Sequence, residues 1–222
     1  MIDKHIKHNI KEYDKKYFNR GYGIKYPEGH VIRHSKYFKK KNSILDFGCG
    51  NGTHLTFFSQ MKIKNIYGVD TSKIVKKIRN KRFKIFRISQ EEDLTKKFKR
   101  KFDIIFSNQV LYYLNDKSIN FFLKQFHTLL NKNGLMFTTW MAPIGNYYKL
   151  SKKIKGSEMR ELNFNLRLKE KTFINFKTKK KIEKVLKKNN FKSLHYGHYD
   201  QEMNHNEVDS GSYHYLNLCK KI

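Results

Sequence analysis

Cysteine, proline and tryptophan are nearly missing from this chain, at two, two and one in 222 residues. Two cysteines, Cys49 and Cys219, provide neither a disulfide framework nor the paired spacing of a zinc site. Both read as small residues in a reducing cytoplasm, and no metal is expected. No apolar run approaches the roughly 18 residues that a membrane span needs. The opening Met1-Ile2-Asp3-Lys4-His5 lacks the apolar core of a secretory signal, so a cytoplasmic location is expected. There is no internal repeat and no low-complexity linker, and the length suits one domain able to bury most of its apolar surface.

Acidic residues are also scarce: 19 Asp and Glu against 48 Lys and Arg, a net charge of +29. Such a balance attracts nucleic acid or anionic surfaces through counterion release. Yet lysine outnumbers arginine about five to one, and Asn, Ile, Phe and Tyr are abundant, a pattern of A/T-rich codon bias. Arginine, the residue suited to bidentate phosphate recognition, is the scarce one. The lysine runs at 39–41 and 179–181 fall on amphipathic helix patterns. They are either solvated faces or the mark of a preference for acidic partners.

What is present is an alternation. Residues 3–19 carry Ile6, Ile10, Tyr13 and Tyr17 at helical spacing. A turn-rich link at 22–29 leads to a helix over 30–40. Strands are expected at 43–47, 64–69, 83–88, 102–107 and 134–140. Helices are expected at 52–61, 72–80, 91–99 and 116–131, the last with Ile119, Phe122, Phe126, Leu129 and Leu130 on one face. Strictly alternating strands and helices imply a parallel sheet covered on both sides. After residue 140 the rhythm breaks. A Lys/Asn/Leu-rich stretch at 141–171 precedes a helix at 177–189, a strand at 191–199, an acidic loop at 200–211 and a strand at 212–219.

One passage concentrates the chemistry. Ile44-Leu45-Asp46-Phe47-Gly48-Cys49-Gly50-Asn51-Gly52 runs from an apolar strand into a glycine loop, and Asp70 closes the next strand, Ile66-Tyr67-Gly68-Val69. Glycines let a ligand lie against the backbone, and an acid after the second strand offers two oxygens to a ribose diol. A dinucleotide fingerprint needs a third glycine where Thr53 stands, so the spacing departs from NAD.

The order Gly-x-Gly-x-Gly preceded by Asp46 resembles motif I of the class I S-adenosylmethionine (SAM)-dependent methyltransferases. Phe102 to Leu114, with Ser107-Asn108-Gln109-Val110-Leu111-Tyr112-Tyr113, resembles that family's fourth strand and following turn. Leu129 to Thr139 resembles its helix end, Gly turn and fifth strand. The resemblance spans roughly 43–140. It implies a Rossmann-like seven-stranded sheet, mostly parallel with an antiparallel last strand and helices on both faces. It divides one methyltransferase domain, 1–222, into an N-terminal helical cap (1–42), a SAM-binding core (43–140), a substrate-side insert (141–171) and a closing helix and strands (172–222).

The same resemblance assigns roles. Gly48, Cys49 and Gly50 would pass under the methionine and ribose of SAM, with S-adenosylhomocysteine as product. Asp70 would take the ribose diol, or else cap the next segment, and Thr71 would border the adenine. Ser89 and Gln90 occupy the place that meets the adenine amino group, although Ser89 can equally be a cap. Asn108 would lie under the sulfonium or simply hold its turn. Asp46 would anchor the glycine loop and reach the methionine amino group through water. Arg33 is a candidate for the methionine carboxylate, or a surface ion pair. A hydroxyl acceptor must also lose a proton, and Tyr112, Tyr113 and His205 are the candidates at the strands' carboxyl ends. The tyrosines suit pocket walls better than proton acceptors, given a free pKa near 10.

The function expected is methylation of a small molecule, on oxygen of a metabolite or an activated sugar, with an acceptor that can be anionic. The alternative is RNA or DNA methylation, suggested by the charge. Against it, base-amino methylators carry Asp/Asn-Pro-Pro-Tyr/Phe after the fourth strand, where this chain has Ser107-Asn108-Gln109-Val110. A third reading, a non-catalytic partner protein, conflicts with the intact glycine loop and Asp70.

Overall fold

The computed structural model describes residues 3–19, 26–165, 170–202 and 210–222. Among these residues ten strands form two sheets. They are β1 (Ser43–Phe47), β2 (Asn65–Asp70), β3 (Lys84–Arg87), β4 (Phe102–Ser107), β5 (Leu130–Met141), β6 (Lys152–Lys153), β7 (Arg160–Asn165), β8 (Glu170–Ile174), β9 (Phe191–Glu202) and β10 (Ser210–Lys221). The larger sheet has the order β3-β2-β1-β4-β5-β10-β9. Only β10 runs against its neighbours, pairing antiparallel with both β5 and β9. Six parallel strands and one reversed strand make the Rossmann-like sheet that the motifs imply.

β1 shows why this sheet is buried on both faces. All five of its residues are buried, as expected of a central parallel strand covered from both sides. Its side chains alternate. Ile44 joins a core with Ile104, Phe106, Phe137 and Leu55 and Phe58 of α3 (Thr53–Gln60). Leu45 and Phe47 face the opposite core, with Phe122 and Phe126 of α5 (Asp116–Leu129) and Ile182 and Leu186 of α7 (Lys179–Lys188). α5 begins where Asn115 Oδ1 accepts the Ser118 N–H at 2.8 Å, an N-cap.

Three expected helices are shorter than the sequence pattern suggests. The 72–80 segment is a 3₁₀ turn at Lys73–Lys77, because β-branched Ile74 and Val75 propagate a helix poorly and Ile78 is already extended. The 30–40 segment splits into α2 (Gly29–Arg33) and a 3₁₀ turn at Ser35–Tyr37. At the break, His34 Nδ1 donates to the His30 carbonyl at 2.7 Å, a side chain standing where the next turn's amide would be. α4 keeps only Leu94–Lys97, capped by Asp93.

The insert holds more structure than expected. It contains α6 (Asn146–Leu150) and the antiparallel sheet β6-β7-β8, and β8 runs past the boundary at 171. Leu162, Ile174 and Phe176 pack this sheet against Tyr112 and Met141 of the main body. The helix α1 (Lys4–Tyr13) lies on β8 through Asn9. Asn9 Oδ1 accepts from the Phe173 N–H (2.8 Å) and the Thr172 hydroxyl (3.0 Å), while its Nδ2 donates to the Phe173 carbonyl (2.8 Å). One amide thus imitates a strand partner for β8. Asn9→Ala is expected to cost roughly 2–4 kcal/mol, because buried backbone groups of Phe173 lose their partner. Urea unfolding checks this, and an unchanged midpoint would mean that α1 does not depend on the bond.

Candidate active site

The strand order reverses between β1 and β4, the switch point where open parallel sheets bind ligands beyond their carboxyl ends. A cavity of about 390 Å³ opens there, within the range of small-molecule sites. Its floor is the glycine loop Gly48–Asn51, with Asp70, Thr71 and Gln90 at one end. α1 flanks it with Ile6, Asn9, Ile10 and Tyr13. Tyr112, Tyr113, Met141, Tyr147 and Thr172 wall the other end.

The loop is shaped by steric need. Gly48 has φ +80°, and a Cβ there would stand 2.2 Å from a Val110 methyl group. Gly50 has φ +51°, and its Cβ would meet the Tyr13 hydroxyl at 2.5 Å. Asp70 braces the loop: Oδ2 accepts the Gly50 N–H at 2.8 Å, and Oδ1 accepts the Ser72 N–H at 2.7 Å. Each oxygen keeps a second lone pair, so a diol can still be received. Burial outweighs those bonds and lifts the Asp70 carboxyl above its ordinary value. Gln90 lines the same end, and its buried Oε1 has no partner among the described residues. An amide at the same end of the cavity as a carboxylate that can take a diol suits the amino group of an adenine. The residues present therefore fit an adenosine.

At the opposite end lies a chain of polar groups linking three segments. Glu28 Oε2 is 2.7 Å from His54 Nε2, and Glu28 Oε1 accepts from Asn108 Nδ2 at 3.3 Å. Asn108 Oδ1 faces His30 Nε2 at 2.9 Å. With the Asn108 nitrogen turned to the carboxylate, its oxygen must accept, so His30 donates. Burial raises the Glu28 carboxyl, but the hydrogen bond and charge of His54 outweigh this and leave it below the ordinary value. Burial likewise lowers His30, which stays neutral against the pull of Asn108 and Glu28. Glu28 is thus an ionised group at the mouth of the glycine loop, and Glu28, His54 and Asn108 all line the cavity.

The residues named from sequence divide clearly. Gly48, Cys49, Gly50, Asp70, Thr71, Gln90, Asn108, Tyr112 and Tyr113 come together around the one cavity. Asp46 sits beneath the loop, fully buried, with Oδ2 lacking a partner among the described residues and its carboxyl pushed up to about 7 by burial. Arg33 is not brought to the cavity. Val31 is buried in the core, and two residues further along a helix the side chain points the other way, so Arg33 is exposed. Ser89 also faces solvent. It bonds Glu92 at 3.1 Å, while its neighbours Ile88 and Gln90 turn inward as alternation along an extended chain requires. Burial drives the Tyr112 hydroxyl well above its ordinary pKa, so it lines the cavity in its protonated form. His205 lies outside the described residues. No group of three His, Cys, Asp or Glu among the described residues is placed to hold a metal ion.

Sequence reasoning missed Glu28, His54 and Tyr13. His54 had one available signal, its place in the first turn of the helix that the glycine loop opens. Glu28 had none, because it meets His54 only in the folded chain.

Comparison with known proteins agrees with this geometry. A family model described as "Methyltransferase domain" matches residues 20–196. A ubiquinone biosynthesis O-methyltransferase of Pelagibacter ubique is 35% identical over 112 residues, 48% of this chain and 45% of that protein. The match thus spans less than half the length of that curated relative. Among solved structures, a SAM-dependent methyltransferase from Anabaena variabilis superposes with a TM-score of 0.72 at 15% identity, covering 100% of this chain and 96% of the other. The 1,6-didemethyltoxoflavin-N1-methyltransferase of Burkholderia thailandensis, solved with its acceptor and S-adenosylhomocysteine, gives 0.65 at 14% identity, covering 100% and 91%. At such identities the likeness is one of fold. The matched domain covers most of the chain, and the chain belongs to the class I SAM-dependent methyltransferases.

Proposed function

We propose that this enzyme methylates a small molecule on a hydroxyl carried by a flat, largely apolar ring. The observation that carries the reading is the acceptor end of the cavity: Tyr112, Tyr113, Tyr147 and Met141 form aromatic and thioether walls beside α1. Rings of this kind stack on planar groups. The O-methyltransferase named among the relatives supports the oxygen assignment. The charge alone favours a nucleic-acid acceptor, but a chamber of about 390 Å³ that must also take the cofactor leaves little room for a strand. The two buried free cysteines, Cys49 and Cys219, support a reducing cytoplasm.

SAM supplies an electrophilic methyl on a sulfonium, and the leaving group is a neutral thioether. The chain therefore has no leaving anion to stabilise, and most of its work is alignment, which can supply roughly 7–11 kcal/mol. We assign Asp70 to the ribose, Gln90 to the adenine amino group, and Glu28 with His54 to the methionine end, where a carboxylate suits an ammonium. Gly48, Cys49 and Gly50 form the backbone rest, Thr71 borders the base, Asn108 orients Glu28, and Asp46 anchors the loop from below. α1 excludes water. Proton removal from the acceptor is proposed for His205 on its chemistry alone, since imidazole titrates near neutrality.

Glu28→Gln keeps the shape and removes the charge. It is expected to weaken SAM and S-adenosylhomocysteine alike by about tenfold, the worth of a charge-assisted hydrogen bond. Methylthioadenosine, which lacks the amino-acid tail, should bind unchanged by calorimetry, and an equal loss for all three would move Glu28 out of this role. The acceptor class is tested by incubating the protein with methyl-tritiated SAM and either a small-metabolite extract or bulk RNA. Label in small, organic-extractable molecules supports the reading, and label in RNA alone overturns it.

A further inference from the structure

The positive charge is not spread evenly. Residues 73–101 hold thirteen Lys and Arg against three Asp and Glu, a third of the net +29 in about an eighth of the chain. Four of the eight arginines, Arg79, Arg82, Arg87 and Arg100, fall in the same stretch. Codon bias toward lysine explains neither the clustering nor the arginines.

The fold gathers this stretch at one margin, the outer strand β3 and the segments around it. On one face, Val75, Ile78, Phe83 and Ile85 floor a cleft of about 290 Å³ whose rim is Lys76, Arg79 and Arg87. On the other, Phe86 is 36% exposed with the Lys97 ammonium 5.5 Å from its ring, and the Arg100 guanidinium lies 4.9 Å from the ring of Tyr67. Lysine on an outer strand also discourages edge-to-edge pairing. That purpose accounts for Lys84 but not for Arg79 and Arg82, which lie before the strand.

We propose that this margin is a docking surface for single-stranded nucleic acid, separate from the methyl-acceptor chamber. A backbone of phosphodiesters matches cations strung along both faces of a strand, which a single small anion does not. A cleft that Ile78 and Ile85 line together with two guanidinium groups can take one planar base beside its phosphate, and the part-exposed ring of Phe86 among cations offers one sequence-tolerant contact. The apolar groups of the cleft are recessed, whereas a membrane surface calls for apolar side chains that protrude. β3 stands four strands from β5, about 19 Å at ordinary strand spacing, so a bound strand is held away from the acceptor walls. The inference concerns binding and does not rest on the identity of the methyl acceptor.

The test is fluorescence anisotropy of a labelled oligo-uridine with the whole protein at several KCl concentrations. The triple variant Arg79→Ser, Arg82→Ser, Lys84→Ser is compared with Lys180→Ser, Lys184→Ser, Lys187→Ser, which removes the same charge from α7. The first is expected to weaken binding at least tenfold. It should also flatten the slope of log affinity against log salt by about 2, as the loss of three contacts to a single strand requires. The second should change affinity less than about twofold. Both must keep the thermal shift given by SAM, which certifies the fold. Equal losses in the two variants, or no binding by the wild type, would overturn the proposal. So would binding of phosphatidylglycerol vesicles through these residues with none to the oligonucleotide.

Discussion

Asp70→Ala is expected to weaken SAM binding by about 100-fold or more, close to 3 kcal/mol. Two losses combine. The ribose diol loses its acceptors, and the Gly50 and Ser72 N–H groups lose the oxygens that fix the loop and the turn after β2. An unpaired backbone donor costs about 1–3 kcal/mol, so the loop loosens even before ligand arrives. Asp70→Asn separates the two effects. Its amide oxygen can still take one backbone N–H, so thermal stability should largely return while affinity does not. Calorimetric titration with SAM together with melting of the free protein reads both. Full affinity in Asp70→Ala would remove this residue from the cofactor site.

The second large effect concerns pH, through two buried groups that titrate against each other. The folded carboxyl of Asp46 is pushed up to about 7 from an ordinary 3.8. Between those values the folded state holds the extra proton, so stability falls as pH rises, by roughly 4 kcal/mol in all. His214 is the reverse case. Burial lowers its imidazole to about 3 from 6.5, so the unfolded chain holds the extra proton and stability falls as pH drops from 6.5, by roughly 5 kcal/mol. Across pH 4 to 6.5 the two slopes cancel. Asp46→Asn should expose the histidine, giving a protein stabilised at pH 8 and losing stability steadily below pH 6.5. His214→Phe, which preserves the ring stacked on Tyr199 at 4.7 Å, should instead be most stable near pH 4 and weaken toward pH 7. Urea unfolding of both variants across pH 4–8 measures this, and parallel curves for wild type and variants would refute it.

The end of the cavity that we assign to the cofactor was legible because its residues fall in short consecutive runs. Gly48, Gly50 and Asp70 sit at strand ends whose positions follow from local pattern, and parallel strands carry their ends to one edge. Arg33 was misplaced for a reason equally local: α2 is only five residues long, and its inward face is fixed by Val31. A short helix followed by a 3₁₀ turn cannot be phased from a pattern that assumes eleven helical residues. Glu28 and His54, 26 residues apart, could be joined only by the fold, which brings the start of α2 to the first turn of α3. The second sheet escaped notice because β6 has two residues and the 141–171 stretch is so rich in lysine and asparagine that its apolar signal is thin, with Leu162 a buried apolar position in β7. The concentration of charge at 73–101 can be counted in the sequence, but its place at the margin of the sheet emerges only with the strand order.

The account stands on an adenosine bound at the ends of β1 and β2. A crystal structure of the protein grown with S-adenosylhomocysteine examines that directly. The predicted result is a ribose within hydrogen-bonding distance of both Asp70 oxygens, adenine toward Gln90 and the amino-acid tail toward Glu28 and His54. A nucleoside found elsewhere, or lying in this cavity with its sugar turned from Asp70, would contradict it.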